Sequence, residues 1–180
     1  MNNTIKFAGI ITMVLLFAAC KKDPTSVETG ADPQMHFEIT GPGINKIFYG
    51  NEDYSSGILK LKPNAEYSFI LTLSDEAEVR YLMMRLPNLG DGYSGISVNA
   101  TPAAHLSTIP TLFDNVYTMS NSGSDAHASY LMYGNFTSPD SIYYYNDAVS
   151  LVCEGRDAVP NRVYLHIPFL VSSGPWGWVE

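Results

Sequence analysis

Glu66-Tyr67-Ser68-Phe69-Ile70-Leu71-Thr72-Leu73 decides the fold class. Tyr67, Phe69, Leu71 and Leu73 fall on one side of an extended chain. Glu66, Ser68 and Thr72 fall on the other, where Ile70 is the single apolar exception. Side chains alternate sides along a strand, so a period of two describes a strand with one face in a core and one toward water. Residues 163–171 repeat the pattern, with Val163, Leu165, Ile167, Phe169 and Val171 opposite Tyr164, His166 and Pro168. In residues 79–86, Val79, Tyr81 and Met83 oppose Arg80, Leu82 and Met84. Both sides there are largely apolar, which suits a strand covered on both faces or a helix.

Outward from these three, shorter segments carry weaker strand patterns at 35–40, 46–49, 57–62, 95–100, 115–119, 129–136 and 148–153. Turn-forming residues separate them: Gly41-Pro42-Gly43, Pro63-Asn64, residues 88–92 and 121–125, Ser138-Pro139-Asp140 and Pro160-Asn161. Glycine, proline, asparagine and aspartate reach the turn conformations that other residues avoid. No helical period is sustained; residues 103–113 have room for one helical turn before Pro110. Many short strands with frequent turns predict an all-β fold, a single antiparallel β-sandwich over residues 33–180.

The run from Leu61-Lys62-Pro63-Asn64-Ala65 through the strand to Ser74-Asp75-Glu76-Ala77-Glu78-Val79 resembles immunoglobulin-like and cadherin-like domains of Bacteroidetes lipoproteins. There, too, a proline and a small residue precede an alternating strand that ends in Ser-Asp. The resemblance implies an immunoglobulin-like sandwich. The domain exceeds the roughly 100 residues of a plain immunoglobulin module, which predicts an insertion within residues 101–138. A jelly roll is the alternative.

The N-terminus reads as an address rather than as part of the fold. A polar start with one basic residue, Lys6, precedes an uncharged apolar stretch over residues 7–19. About 13 residues fall short of the roughly 20 that span a bilayer as a helix, so residues 1–19 read as a signal peptide. Phe17-Ala18-Ala19-Cys20 resembles the lipobox of bacterial lipoproteins, with Leu16 one step before it. The resemblance implies cleavage before Cys20 and lipid on its sulfur. Each buried CH₂ contributes about 0.8 kcal/mol, so two or three acyl chains hold a protein stably without a membrane-spanning helix. Residues 20–32 read as a linker. Within it, Lys21-Lys22-Asp23-Pro24 resembles the start of Bacteroidetes lipoproteins, where a lysine followed by acid marks export to the cell surface. The expected location is the outer membrane, facing the cell exterior.

Without residues 1–19 the chain has nine Lys and Arg against 18 Asp and Glu, a net charge of −9. An acidic chain without a cluster of Lys and Arg beyond Lys21-Lys22 repels phosphate backbones, so nucleic acid is excluded as a partner. With Cys20 lipidated, Cys153 is the one remaining thiol, and its apolar setting predicts an inert, buried side chain. Stability must then come from the core alone, and about 150 residues suffice for one.

The residues that carry chemistry form no recognisable set. His36, His105, His127 and His166 are scattered, and no Gly-x-Ser-x-Gly elbow occurs. No His-x-His, His-Glu-x-x-His or paired-cysteine motif predicts a metal. Asp75, Glu76 and Glu78 and, within residues 88–91, Asp91 suit solvated turns, lacking the Asp-x-Asn-Asp-Asn calcium motif of cadherins. No catalytic residue, metal or cofactor is expected. Asp140-Ser141-Ile142 resembles the O-glycosylation acceptor of Bacteroidetes exported proteins, with Ser141 as the acceptor.

Aromatic runs are the most suggestive feature. Tyr143, Tyr144 and Tyr145 follow a turn, and Trp176-Gly177-Trp178 lies close to the end of the sequence. Exposed flat rings stack on sugar faces, and the spacing of two places both indoles on one side if the chain is extended. The competing reading places all five rings in the core or at its ends. Three functions follow: a non-catalytic module binding a glycan or other extracellular ligand, an accessory lipoprotein docking to another outer-membrane protein through a sheet edge or apolar patch, and a small hydrolase. Exposed coplanar rings would favour the first, buried rings beside an open strand edge the second, and a cleft of convergent acids the third.

Overall fold

In the computed structural model of the protein, residues 31–76, 78–87, 94–110, 114–121, 127–140, 149–157 and 161–180 are described. The stretch that opened the argument is strand β4 (Glu66–Ser74), at the centre of a five-stranded sheet. Its neighbours are β1 (Gln34–Gly41) and β9 (Ser129–Thr137), with β2 (Ile44–Tyr49) and β6 (Ser94–Thr101) at the edges. A second sheet runs in the order β12 (Gly177–Val179), β3 (Ile58–Leu61), β11 (Arg162–Val171), β10 (Val149–Asp157), β5 (Val79–Pro87), β8 (Asp114–Ser120) and β7 (Leu106–Pro110). The two sheets make an all-β sandwich without an α-helix among the described residues. Pairing is antiparallel everywhere but at β3 and β11, which run parallel over three residue pairs.

The alternation puts the core between the sheets. Tyr67, Phe69, Leu71 and Leu73 of β4 are buried, as are Val163, Leu165, Ile167, Phe169 and Val171 of β11. Met35, Phe37 and Ile39 of β1, with Tyr130, Met132 and Phe136 of β9, complete the first sheet's contribution. Phe37 stacks on Phe69 at 6.1 Å, and Tyr67 stacks on Phe136 at 5.7 Å. Cys153 lies wholly inside this core, and burial pushes its thiol far above its usual range. It is inert to nucleophilic chemistry at neutral pH.

The doubly apolar segment is β5, and a bulge resolves its pattern. Arg156 of β10 pairs with Tyr81 but Asp157 pairs with Val79, so Arg80 is an extra residue. An extra residue shifts which side chains face inward. Val79 therefore points into the core together with Leu82, Met84 and Leu86. Tyr81 and Met83 are half-buried on the outer side.

The turns form where their chemistry dictates. Pro42 and Gly43 join β1 to β2, and Gly43 takes φ +78°, a conformation that glycine reaches without penalty. Asn64, after Pro63, also takes a positive φ of 50°. Ser138 closes the next junction from inside, donating from Oγ to the Lys62 carbonyl at 2.5 Å and accepting from the Ala65 N–H at 3.1 Å. Residues 101–138, where the insertion was expected, contain a 3-10 turn (Ala103–His105), β7, β8 and β9.

Candidate functional site

Strand register brings together side chains that are far apart in the sequence. On the outer face of the five-stranded sheet, Ile47 pairs with Glu38, Glu38 with Ile70, Ile70 with Tyr133, and Tyr133 with Asn99. These five residues make one row across all five strands. Ile47 is 42% exposed, and Ile70 and Tyr133 are each 40% exposed. In the next row Tyr49 pairs with His36, followed by Thr72, Leu131 and Thr101, with Tyr49 52% exposed. Directly opposed residues in antiparallel strands lie about 4.5–5.5 Å apart at Cβ, so each row is a continuous surface.

The row on the other side is polar and uncharged: Asn45, Thr40, Ser68, Asn135 and Ser97. Asn135 donates from Nδ2 to Glu66 Oε1 at 2.8 Å, which fixes the amide's direction. A shallow depression of about 60 Å³ lies between the two rows, lined by Glu38, Thr40, Ser68 and Ile70. An apolar band flanked by hydroxyls and amides can press on a flat ligand face while hydrogen-bonding its edge. None of the residues in this band was singled out as a binding residue from the sequence. The signal was there in Ile70, the one apolar side chain on the polar side of β4.

The two tryptophans take different environments. Trp176 is 38% exposed, and its Nε1 donates to the Ser172 carbonyl at 2.9 Å. The Lys62 ammonium lies over its ring, 5.0 Å from the centroid. Trp178 is half-buried against the core, in edge contact with Phe48 at 5.3 Å and Tyr54 at 5.7 Å. Its ring lies over Gly57, where a Cβ would overlap the indole. Gly177 between them takes φ +117°, outside the extended conformation that would align two rings on one side. Trp178 thus closes the edge of the sandwich between β2 and β12.

Tyr54 completes that edge. Its hydroxyl donates to Glu52 Oε2 at 2.5 Å and accepts from the Tyr49 N–H at 2.8 Å. Burial pushes the hydroxyl up to about 12, with the bond to Glu52 acting in the same direction.

Cys20, Ser141, Tyr143, Tyr144 and Tyr145 lie outside the described residues. Among the described residues no three of His, Cys, Asp and Glu cluster as a metal site, and no helix is long and apolar enough to cross a membrane. The chain matches no protein-family model, and no curated protein shows significant similarity to it.

Proposed function

We propose that the protein is a non-catalytic binding module, carried on the outer membrane by lipid on Cys20, that holds an extracellular glycan against the outer face of its five-stranded sheet. The observation that carries this reading is the row Ile47, Ile70 and Tyr133, with Tyr49 beside it and the uncharged Asn45, Thr40, Ser68, Asn135 and Ser97 alongside. Sugars present apolar C–H faces and a rim of hydroxyls, which such a band and its polar flank match. Charged side chains are few in these rows, with Glu38 the one acid, so a neutral chain suits the face better than an acidic one. Trp176 and the residues Tyr143, Tyr144 and Tyr145 remain further candidate contacts.

A second reading, docking to another outer-membrane protein, is favoured by the same apolar row, since exposed apolar patches also mark protein interfaces. One experiment separates the two. A glycan array is screened with the wild-type protein beside Tyr133→Ala and Ile70→Ser, both checked for folding by circular dichroism. Glycan binding that both substitutions abolish supports the module. Binding that survives both places the glycan elsewhere, and absence of wild-type binding favours docking.

A further inference from the structure

At one end of the sandwich, the 3-10 turn after β6 meets the residue pair that leads into β9. The rings of His105 and His127 stand edge to face with centroids 5.2 Å apart. Both rest on Tyr130, at 6.1 and 5.9 Å. Tyr130 is fully buried, yet its hydroxyl has no hydrogen-bond partner, and neither has the buried Nε2 of His127. Buried polar atoms without partners are uncommon in folded proteins, and a bound water or ion is a usual reason for them.

His105 supplies the second half of the argument. Its Nδ1 lies 3.1 Å from the Ser120 carbonyl. A carbonyl can only accept, so Nδ1 carries a proton, and in the neutral ring Nε2 is the nitrogen with the lone pair. A ring N–H given to a backbone carbonyl is also how metal-binding imidazoles are held, because it fixes the ring and makes the other nitrogen more basic.

We propose that His105 and His127 together bind a divalent transition-metal ion of the zinc and copper class, with the Tyr130 hydroxyl bonded to a water on that ion. Imidazole pairs select these ions over magnesium and calcium, which prefer oxygen ligands. No third His, Cys, Asp or Glu joins the pair among the described residues. The remaining positions on the ion therefore fall to water. The backbone holds the pair in place: the Val79 N–H donates to the His127 carbonyl at 2.9 Å, tying the entry of β9 to β5. An ion here would link the connection leaving β6 to the start of β9.

The test titrates the full chain with zinc and, separately, copper(II) by calorimetry. Wild type is expected to bind one ion per chain, with His105→Ala and His127→Ala each weakening it at least about tenfold. His36→Ala and His166→Ala, on β1 and β11, are expected to leave affinity unchanged and control for adventitious surface binding. If an alanine variant fails to fold, copper-induced broadening of the His105 and His127 ring signals in wild-type NMR spectra replaces it. Absence of wild-type binding, wild-type affinity retained in either alanine variant, or broadening confined to His36 and His166 would overturn the proposal.

Discussion

Removing the Trp178 side chain tests whether this residue closes the sandwich or serves a ligand. The indole is half-buried and touches Phe48, Tyr54 and the Lys46 ammonium, the last at 5.2 Å from its centroid. A tryptophan buries about 200 Å² when fully enclosed, so half-burial removes roughly 100 Å² from water, about 2.5 kcal/mol at 25 cal/mol per Å². Two edge contacts and one cation–π contact add about 1 kcal/mol once overlap with the area term is discounted. Trp178→Ala is therefore expected to destabilise the domain by about 3.5 kcal/mol, a large share of the roughly 5–15 kcal/mol that holds a domain together. Trp176→Ala, whose ring is more exposed, is expected to cost about 1 kcal/mol. Urea unfolding followed by far-ultraviolet circular dichroism reads both without relying on tryptophan emission. A loss below about 1 kcal/mol for Trp178→Ala, or a larger loss for Trp176→Ala, would refute this assignment. The outcome bears on function directly. A ligand lost in a Trp178 variant reports the fold as much as the site, whereas Trp176→Ala interrogates an exposed ring.

Two further predictions address the edge and the sheet. Tyr54 has its hydroxyl raised from 10.0 to about 12, so its stabilising effect is fully present below pH 10 and is lost as pH rises through 12. Alkaline titration at 295 nm should show Tyr54 ionising late, together with Tyr67, Tyr81, Tyr117 and Tyr130, which burial also raises, and Glu52→Gln should move part of that late phase down; an unchanged curve would remove Glu52 from the account. Gly134→Ala should destabilise by at least about 1–3 kcal/mol in urea, since a Cβ there would overlap the Ser97 carbonyl oxygen of the adjoining strand β6. A neutral result would show that β6 shifts freely.

The strands visible in the sequence are those that carry a core face. β4 and β11 alternate between buried and exposed positions along nearly their whole length. β7 has no such face: Ser107, Thr108 and Ile109 are all exposed, so an edge strand there reads as a loop. Its Pro110 is tolerated because an edge strand has one side free of partners. β12 is three residues long and begins at Gly177. The strand expected to end at Cys153 runs on to Asp157 because Gly155, apolar only by lacking a side chain, leaves room for Leu73 and Met35 from the facing sheet. The parallel pairing of β3 with β11 leaves no trace in either segment, since which strands pair is set by packing of the whole.

The candidate site was legible only as an anomaly. An isolated exposed isoleucine needs no explanation, because much of any protein surface is apolar. Ile70 acquires meaning only from its row, where Ile47 and Tyr133 lie on other strands and become neighbours through register. No pattern within a single strand can encode that adjacency. The tryptophan pair loses its common face for the converse reason. Its spacing of two implies a common face only for an extended chain, and the glycine between the rings is the residue most able to leave that conformation. A motif whose geometry depends on its own glycine carries less information than an apolar residue held rigidly in the middle of a five-stranded sheet. The proposed binding face is therefore better sought around Ile70 and Tyr133 than around the aromatic run at residues 176–178.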